Sequence, residues 1–595
     1  MDELDIKAMN NKTKAGLEIL QASVLLGVLG NVLLRETPWG LNAFLFVTAF
    51  VVALGFLVKR CRPGLITLTS VSLAGAMIFF ASMFLIRDSE QLLVFDTFAI
   101  LAIMGVLMLG NLKIKQHVAG VFHYAAGFIW AAGNSIFGSF LLLGADIDWK
   151  SMPGGAFSKT VFSILRGLAI ALPLLLIFGG LFMAADAAYE GMINRAFNFE
   201  IDEVVSNVLL TSVFAWLTAG YFRAATTRFG VFHPAAAESV NANASEGEAG
   251  ATEKENGRSY VQKVASEPGE EPTVLPNNAS VVEHINETDD APPVETPVGT
   301  SVVTPAASSS LRDWQNIDNS KFPSVFTLGT VEIVIILGLV DLLFVSFVAF
   351  QVPYLFGGME LVQNTPDFKL ADYARRGFGE LVAVAALVLP MLLASHWLLR
   401  KDASRVQGIY RVLAGFQIAL LFVVMASAVQ RLLILTGESG YGLTTVRFYP
   451  MVFMAWLAVV FVWFGVTVLR GARNHFAWGA LWSAIVILGA TNLMNPDDFI
   501  ARTNLALMRE GREFDAHYNA NLSDDALPVL MDSFASLSEE DQVEAFRSLA
   551  WRNCRKREEK DLRSWNYSRQ QATAIMAPYE EQFNSHTPQC YVSED

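Results

Sequence analysis

The feature that most constrains this chain is a series of apolar runs, each long enough to cross a lipid bilayer as a helix. A helix needs about 20 mostly apolar residues to cross about 30 Å of hydrocarbon. Eleven runs meet this requirement, and they lie at residues 17–34, 41–58, 65–86, 92–112, 164–184, 204–224, 326–351, 377–399, 411–435, 448–469 and 476–493. The sequence therefore predicts an all-α fold, a polytopic transmembrane helical bundle with about eleven spans; 10–13 spans are compatible with it.

The composition agrees with a membrane protein. Apolar residues make up 53% of the chain and charged residues only 17%, whereas soluble proteins carry about 25% charge. The net charge is −14, but much of the acid lies in two polar stretches, residues 238–295 and 497–595. Such placement indicates solvation of exposed segments, so we expect no nucleic-acid partner. The acidic-mixed N-terminus has no short apolar core with a cleavage site, so no removable signal peptide is expected.

The chain divides into four regions by composition. Residues 1–225 and 323–495 hold the apolar runs. Residues 226–322 are rich in Pro, Ala, Ser, Asn, Glu and Thr and poor in aromatics, which predicts a disordered linker because such a stretch cannot bury enough apolar surface to offset the entropy of ordering. Residues 496–595 show helical periodicity, with Ser523 and Ser538 as candidate N-caps. They predict a small soluble C-terminal helical domain.

One apolar stretch, residues 118–143, is doubtful because His123, Asn134 and several glycines interrupt it. Lys and Arg concentrate on the cytoplasmic side of short loops, and basic clusters follow residues 58, 112, 399 and 469. Two basic clusters on the same side of the membrane must be separated by an even number of crossings. The spans 164–184, 204–224, 326–351 and 377–399 already supply an even number between the clusters after residues 112 and 399. We therefore expect 118–143 to be re-entrant or interfacial; crossing twice as a tight pair is the alternative.

This count predicts a cytoplasmic N-terminus and an extracytoplasmic C-terminal domain. Lys369, Arg375 and Arg376 would then lie outside, against the charge rule. The spacing of Asp372, Arg375 or Arg376 and Glu380 is helical, however, and suits a short interfacial helix whose charges neutralise each other. The bundle is expected in the cytoplasmic membrane, with the lipid bilayer as its first partner.

Several short motifs resemble those of a known family. They are Gln351 with 354–358 (YLFGG), 373–378 (YARRGF) with Glu380, 441–444 (YGLT) with Arg447, 495–497 (NPD) and 565–569 (WNYSR). The chain resembles a bacterial family of polytopic membrane proteins classed as a domain of unknown function. The resemblance covers most of the chain outside the linker. It implies a membrane location and a helical fold, and it implies no activity.

Two acidic residues lie in the predicted span 326–351. Ionisable residues within a span are costly and usually face the protein interior or a water-filled cavity. Asp341 lies near the middle of the span, and Glu332 lies nine residues earlier, about 180° around the helix. The two therefore cannot line one pathway. Asp341 is a candidate proton-coupling carboxylate; the alternative is a packing residue that is protonated or bridged by water.

The loop at 351–380 and the neighbouring helix ends form a second candidate site. Arg376, Glu380, Arg431 and Arg447 could form a charged pocket for a carboxylate, phosphate or lipid headgroup, since Arg binds such anions bidentately. A structural ion pair between Glu380 and Arg431 is the alternative. The full set of candidate binding residues is Tyr354, Gly357, Gly358, Asp372, Arg375, Arg376, Glu380, Arg431 and Arg447. For Gly357 and Gly358, the usual interpretation of a glycine pair after an aromatic residue is a plain turn between a span and a surface helix.

No pattern indicates a cofactor or a metal. The eight histidines show no paired ligand spacing, and no nucleophile–base arrangement stands out. Cys61, Cys554 and Cys590 show no metal-ligand spacing; Cys554 and Cys590 could form a disulfide only if the C-terminal domain is in an oxidising compartment.

Three functional hypotheses follow. The first is a non-enzymatic sensor, scaffold or regulator of the cell envelope, with a protein partner on the C-terminal helical domain. The alternative is a transporter or a lipid- or anion-handling protein that uses Asp341 and the outer Arg/Glu cluster. No inverted-repeat correspondence between the halves, the best signature of many transporters, is visible. A membrane-embedded transferase comes third, because no nucleophile or metal site can be named.

Overall fold

A computed structural model describes most of the chain outside the predicted linker. The described residues are 3–112, 114–148, 201–227, 328–356, 378–399, 404–433, 436, 442–556 and 561–579. The predicted linker 226–322 lies outside them except for its first two residues, as do the predicted span 164–184, most of the 351–380 loop and Cys590. In the described part, regular structure is helical apart from an isolated parallel bridge between Leu328 and Leu399.

Eleven described helices are long and apolar enough to cross a membrane. They are α1 (Glu3–Leu34), α2 (Leu41–Cys61), α3 (Leu68–Ile86), α4 (Glu90–Leu107), α5 (Val121–Leu141), α6 (Ile201–Thr226), α7 (Thr330–Phe356), α8 (Phe378–Leu398), α9 (Ser404–Leu433), α10 (Thr445–Thr467) and α11 (Phe476–Met494). The all-α polytopic prediction is confirmed. Ten of these helices match predicted spans, and the eleventh, α5, is the doubtful stretch.

These eleven helices form two packed groups. The first core joins α1–α6 with one face of α11, which contributes Ile485. The second core joins α7–α10 and includes Phe461 and Phe464, both fully buried. The outer faces remain apolar, as shown by exposed fractions of 71% for Leu25 and 64% for Phe98. Such outer surfaces fit a lipid bilayer as the surrounding solvent.

The two ends of the bundle differ in charge. At one end, the guanidinium of Arg62 donates hydrogen bonds to Asn111 at 2.8 Å and to the main-chain carbonyl of Thr227 at 3.2 Å. The rings of Phe122 and Trp397 lie 5.0 Å apart at the same end. We call this the basic end, because cations of both halves gather there: Lys59, Arg60, Arg62, Lys115, Arg411, Arg470 and Arg473. The opposite end is the docked end, since the C-terminal domain lies against it.

Helix α5 begins and ends at the basic end. Its first turn carries Phe122. It continues into a π-helical turn, Leu142–Asp146, and the Asp146 carboxylate pairs with Arg223, near the end of α6, and with Lys12 of α1 at 3.0 Å. Length and composition would allow α5 to cross the membrane. These contacts instead favour the re-entrant or interfacial path expected from the sequence.

The described residues on either side of 149–200 lie at opposite ends of the bundle. Asp148 is the last described residue before the gap, and its N–H donates to the Thr13 hydroxyl at 3.2 Å, near the basic end. The chain resumes in α6 at the docked end, where Asn31 donates to Asn207 at 2.8 Å. The predicted span 164–184 would supply this displacement; it lies outside the described residues and stays a prediction.

The C-terminal residues form the expected small helical domain. Its helices are α12 (Pro496–Arg509), α13 (Ala516–Ala520), α14 (Leu527–Asp532), α15 (Glu539–Lys556) and α16 (Tyr567–Met576). The hydroxyl of Ser523 accepts from Asp525 N–H ahead of α14, and that of Ser538 accepts from Asp541 N–H at 3.1 Å, so both predicted caps are confirmed. The domain core includes Leu443 from the loop before α10 and Phe448 from the first turn of that helix. The domain is therefore continuous with the bundle.

Candidate functional site

The C-terminal domain holds the turn between α3 and α4. The side-chain amide of Asn566 donates to the main-chain carbonyls of Phe84 at 2.9 Å and Arg87 at 2.8 Å. The hydroxyl of Ser568 donates to the carbonyl of Ile86 at 2.8 Å. The last carbonyls of a helix have no partner within the helix. The domain therefore caps the end of α3 with two side chains of its 565–569 segment.

Two charged residues of the C-terminal domain, Asp525 and Arg569, bind the same turn from its other side. The Asp525 carboxylate accepts from the N–H groups of Asp88 at 2.9 Å and Ser89 at 3.1 Å, ahead of α4. The Ser568 hydroxyl lies between this carboxylate and the Ile86 carbonyl and shares its one hydrogen between them. Arg569 pairs with the Asp88 carboxylate at 3.2 Å. A carboxylate that accepts main-chain N–H groups at a helix start also complements the helix dipole.

The turn between α1 and α2 contacts the segment that leads into α16. The N–H of Leu41 donates to the Trp565 carbonyl at 2.9 Å, and the Arg569 guanidinium donates to the Trp39 carbonyl. Between them, Gly40 lies so close that a Cβ atom there would be 2.5 Å from the Trp565 carbonyl oxygen. The two chains therefore meet backbone to backbone, which only glycine permits at position 40.

The domain also binds the loop before α10, in the second half. The Asn504 side chain accepts from Leu443 N–H at 2.6 Å and donates to the Leu443 carbonyl at 3.0 Å. The Tyr518 hydroxyl accepts from Thr445 N–H at 2.7 Å. Gly442 has a φ of +64°, in the left-handed region that favours glycine. We call these contacts and those with the two first-half turns the docking interface.

Two buried aspartates lie in this interface. The exposed fraction is 2% for Asp497, where the chain leaves α11, and 4% for Asp525. Asp497 accepts from Ser523 N–H at 3.2 Å, and its Oδ1 has no hydrogen-bond partner among the described residues. Burial raises the pKa of both carboxyls, because desolvation disfavours the charged form; hydrogen bonds from Ser523 and Ser568 respectively act in the opposite direction.

A further acid joins the two halves inside the bundle. Asp96 of α4 and Asn492 of α11 are fully buried, and the Asn492 amide donates to the Asp96 carboxylate at 2.8 Å. Nearby, the guanidinium of Arg87 donates to the main-chain carbonyl of Asn492 at 2.7 Å. Helix α11 is thus tied to α4 and to the α3–α4 turn by polar contacts close to the docked end.

The two acids of the predicted span 326–351 differ in burial. Asp341 is 4% exposed, and neither carboxylate oxygen has a hydrogen-bond partner among the described residues. Glu332 is exposed and accepts from Gly329 N–H at 3.1 Å, which caps its own helix. In α9, fully buried Gln417 likewise has an amide without a partner in the described part of the chain. These two unpartnered polar groups belong to neighbouring helices of one core.

The remaining predicted binding residues are only partly described. Gly357, Gly358, Asp372, Arg375 and Arg376 lie outside the described residues, and Tyr354 is described only as part of the α7 backbone. Near the docked end, Glu380 is exposed and Arg431 is 9% exposed. The Arg447 guanidinium donates to the Gly442 carbonyl, within the segment at the start of α10 that the C-terminal domain binds. The charged pocket of the 351–380 loop stays a prediction.

Sequence reasoning missed several residues that the structure brings together. Asp96 carries the same signal as Asp341, an acid inside a predicted span. Asp525 and Asn504 gave no comparable signal, since short polar helices are full of such residues. Within the described residues, no group of three or more His, Cys, Asp and Glu side chains converges as metal ligands.

Comparison with known proteins returns a family without an assigned activity. No curated protein and no solved structure matches the chain. A model of the domain of unknown function DUF4153 matches residues 74–245 and 298–533, which include most of the spanning helices and end within the C-terminal domain. The resemblance seen in the sequence is confirmed for the family as a whole. The chain is an integral membrane protein and belongs to the DUF4153 family.

Proposed function

We propose that this protein is a non-enzymatic regulator or scaffold of the cytoplasmic membrane, whose C-terminal helical domain receives a protein partner on the extracytoplasmic face. The observation that carries the proposal is the docking interface. Asn566 and Ser568 hold the α3–α4 turn of the first half, and Asn504 holds Leu443 of the second half. A partner that shifts this domain would act on both halves at once.

A coupling role needs a differential contact between two arrangements of the bundle. The docking interface supports such a differential contact. One small domain with a shared core makes hydrogen bonds to the first half and to the second half of the bundle. If the halves moved relative to each other, one set of bonds would have to break. A ligand that favoured one arrangement of the domain would therefore bias the bundle.

The basic end supports the proposed orientation. Arg60, Arg62, Arg411 and Arg473 lie at the end opposite the C-terminal domain. Lys and Arg in short loops mark the cytoplasmic side. The domain would then project outside the cytoplasm, where an envelope partner is accessible to it.

A partner search tests the proposal. Helix α15 exposes two large apolar side chains, Val543 at 59% and Trp551 at 57%, and exposed apolar residues often mark interaction sites. A photo-crosslinking residue at Trp551 should capture a specific protein in living cells. The matched control at exposed Glu513, on another part of the domain, should not. Equal capture at both positions, or none at either, would count against the proposal.

The second candidate function is a transporter or a lipid- or anion-handling protein, and one observation favours it. Helices α7 and α9 both start at the basic end, where Leu328 bridges Leu399 and the Tyr410 hydroxyl donates to the Leu392 carbonyl at 2.8 Å. Asp341 and Gln417 lie 11 and 13 residues into these helices, or about 16–20 Å at 1.5 Å per residue. Both therefore lie near the middle of the membrane.

Such a pair could hold a proton or a polar substrate group. Asp341→Asn should then abolish the pH response of any transport-linked phenotype, and exposed Glu332→Gln is the matched control. If Asp341→Asn left growth, membrane potential and pH tolerance as in the wild type, this second candidate function would be excluded.

A further inference from the structure

A cavity of about 330 Å³, lined by both polar and apolar side chains, opens at the basic end of the second half. It lies between the end of α8, the start of α9 and the turn that follows α10. Its lining residues are His396, Trp397, Leu399, Gln407, Tyr410, Arg411, Val468, Gly471, Arg473 and Asn474. No function proposed above uses this cavity, and it lies at the opposite end from the docking interface.

The cavity is positively charged. Arg411 comes from α9 and Arg473 from a 3-10 turn ahead of α11, so two guanidiniums reach it from different elements. Its described lining holds no Asp or Glu. A methyl group on Gly471 would lie 3.9 Å from Nη2 of Arg411, so Arg411 reaches over the turn that carries Arg473.

The lining also offers neutral hydrogen-bonding groups. Gln407 and Asn474 contribute side-chain amides, and the buried Nδ1 of His396 has no hydrogen-bond partner among the described residues. Buried polar atoms are usually paired, so an unpaired one at a cavity indicates a missing partner. The φ of Gly471 is +91°, which only glycine adopts easily, and it fixes the turn that positions Arg473 and Asn474.

We infer that this cavity binds a phosphate group. Two guanidiniums with amide donors match phosphate oxygens, to which Arg binds bidentately. Basic pockets between membrane helices are also where anionic lipid headgroups bind. The phosphate can belong to an anionic lipid or to a free phosphate compound, and the chemistry of the site is the same for both.

The test uses the full-length protein in a neutral detergent and two probes. The first is phosphatidylglycerol against phosphatidylcholine, followed as lipid adducts by native mass spectrometry. The second is inorganic phosphate, followed as a shift in thermal unfolding. The pocket variant is Arg411→Gln with Arg473→Gln. The matched control, Arg405→Gln with Arg470→Gln, removes two exposed arginines near the same end of the bundle that do not line the cavity.

The pocket variant should bind the effective probe about tenfold more weakly, the change expected when about 1.4 kcal/mol of binding is lost, and the control should bind as the wild type does. Retention of phosphatidylglycerol alone identifies a headgroup site, and stabilisation by inorganic phosphate identifies a free-phosphate site. Equal binding by wild type and pocket variant, equal loss in the control, or no binding of either probe would overturn the inference. Because Arg411 is exposed, the single variant Arg411→Gln serves if the double variant fails to fold.

Discussion

The side-chain amide of Asn566 donates a 2.8 Å hydrogen bond to the main-chain carbonyl of Arg87, which lies 479 residues earlier in the chain. Asn566 is 1% exposed, so the contact is buried. A bond between such distant segments makes the C-terminal domain a part of the folded bundle. It also gives the 565–569 motif a structural task, the capping of a membrane helix by a surface domain.

Replacement of Asn566 by Asp tests the strength of this contact. The variant keeps the oxygen that accepts from Arg569 N–H at 3.1 Å and caps α16. It loses the donor and places a negative charge against two carbonyls. We expect the free energy of unfolding to fall by about 1–3 kcal/mol, the cost of leaving buried polar groups unpaired, measured by thermal unfolding in nanodiscs.

The matched control for that experiment is Thr573→Ala. Thr573 lies on the same helix, is exposed, and donates only to the Arg569 carbonyl one turn earlier. Its replacement should leave stability within about 0.5 kcal/mol of the wild type. Wild-type stability of Asn566→Asp would show that the amide contributes nothing to docking.

Gly40→Ala tests the close approach of the two backbones. Its φ is −170°, outside the left-handed region that favours glycine, so the expected effect comes from the close contact. The added methyl would lie 2.5 Å from the Trp565 carbonyl oxygen, and overpacking of this kind costs about 1–3 kcal/mol. Protease sensitivity of the domain should therefore rise. Gly64→Ala, in a turn with nothing within 4 Å, should behave as the wild type.

The stability of the docking interface should depend on pH through Asp497. Burial raises the pKa of this carboxyl, so the folded state holds the proton more tightly than the unfolded state, where the pKa is about 3.9. The free energy of unfolding should then decrease as the pH rises from about 4 through the folded-state pKa. Asp497→Asn should reduce this slope in unfolding curves between pH 4 and 8 and leave the part that Asp525 contributes, whose pKa burial also raises.

The control for the pH experiment is Asp532→Asn, because Asp532 is exposed on the same domain. Its slope should equal that of the wild type. If Asp497→Asn kept the full wild-type slope, other groups would have to account for the dependence. A stability that rose with pH in the wild type, and less so in Asp497→Asn, would reverse the sign expected here.

The anchor of α5 is the buried pair of Asp146 and Arg223, each 3% exposed. Asp146→Asn would leave the Arg223 charge buried without its acid, which typically costs about 3–5 kcal/mol. The comparison is Glu18→Gln, whose partner Arg60 is half exposed, where about 0–1 kcal/mol is expected. Similar losses in the two variants, measured by chemical unfolding, would contradict the buried anchor.

The membrane helices of the described residues could be predicted from the sequence because one physical constraint, the thickness of the bilayer, sets the length of each apolar run. It also predicted the caps at Ser523 and Ser538, since capping depends on local chain order. The path of α5 could be predicted only from the number of crossings between basic clusters on the same side of the membrane. The contacts of Asp146 with Arg223 and Lys12 give a second and independent basis for it.

The docking interface could not be predicted in the same way. The residues that bind the α3–α4 turn, Asp525 and Asn566, are separated from it by more than 400 positions, and no local pattern indicates such a contact. Asp96 was predictable, because an acid within a span is costly wherever it occurs. Arg473 belongs to the basic cluster after residue 469 that served as a topology signal in the sequence, and only its convergence with Arg411 on one cavity gives the two arginines a binding role.

The most direct test is cysteine labelling with a membrane-impermeant maleimide, in a variant whose three native cysteines are replaced by serine. Glu513→Cys reports on the C-terminal domain and Asn474→Cys on the basic end, and both positions are exposed. The account predicts labelling of Glu513→Cys in intact spheroplasts and of Asn474→Cys only after permeabilisation. Labelling of Asn474→Cys in intact spheroplasts, with Glu513→Cys protected, would contradict it.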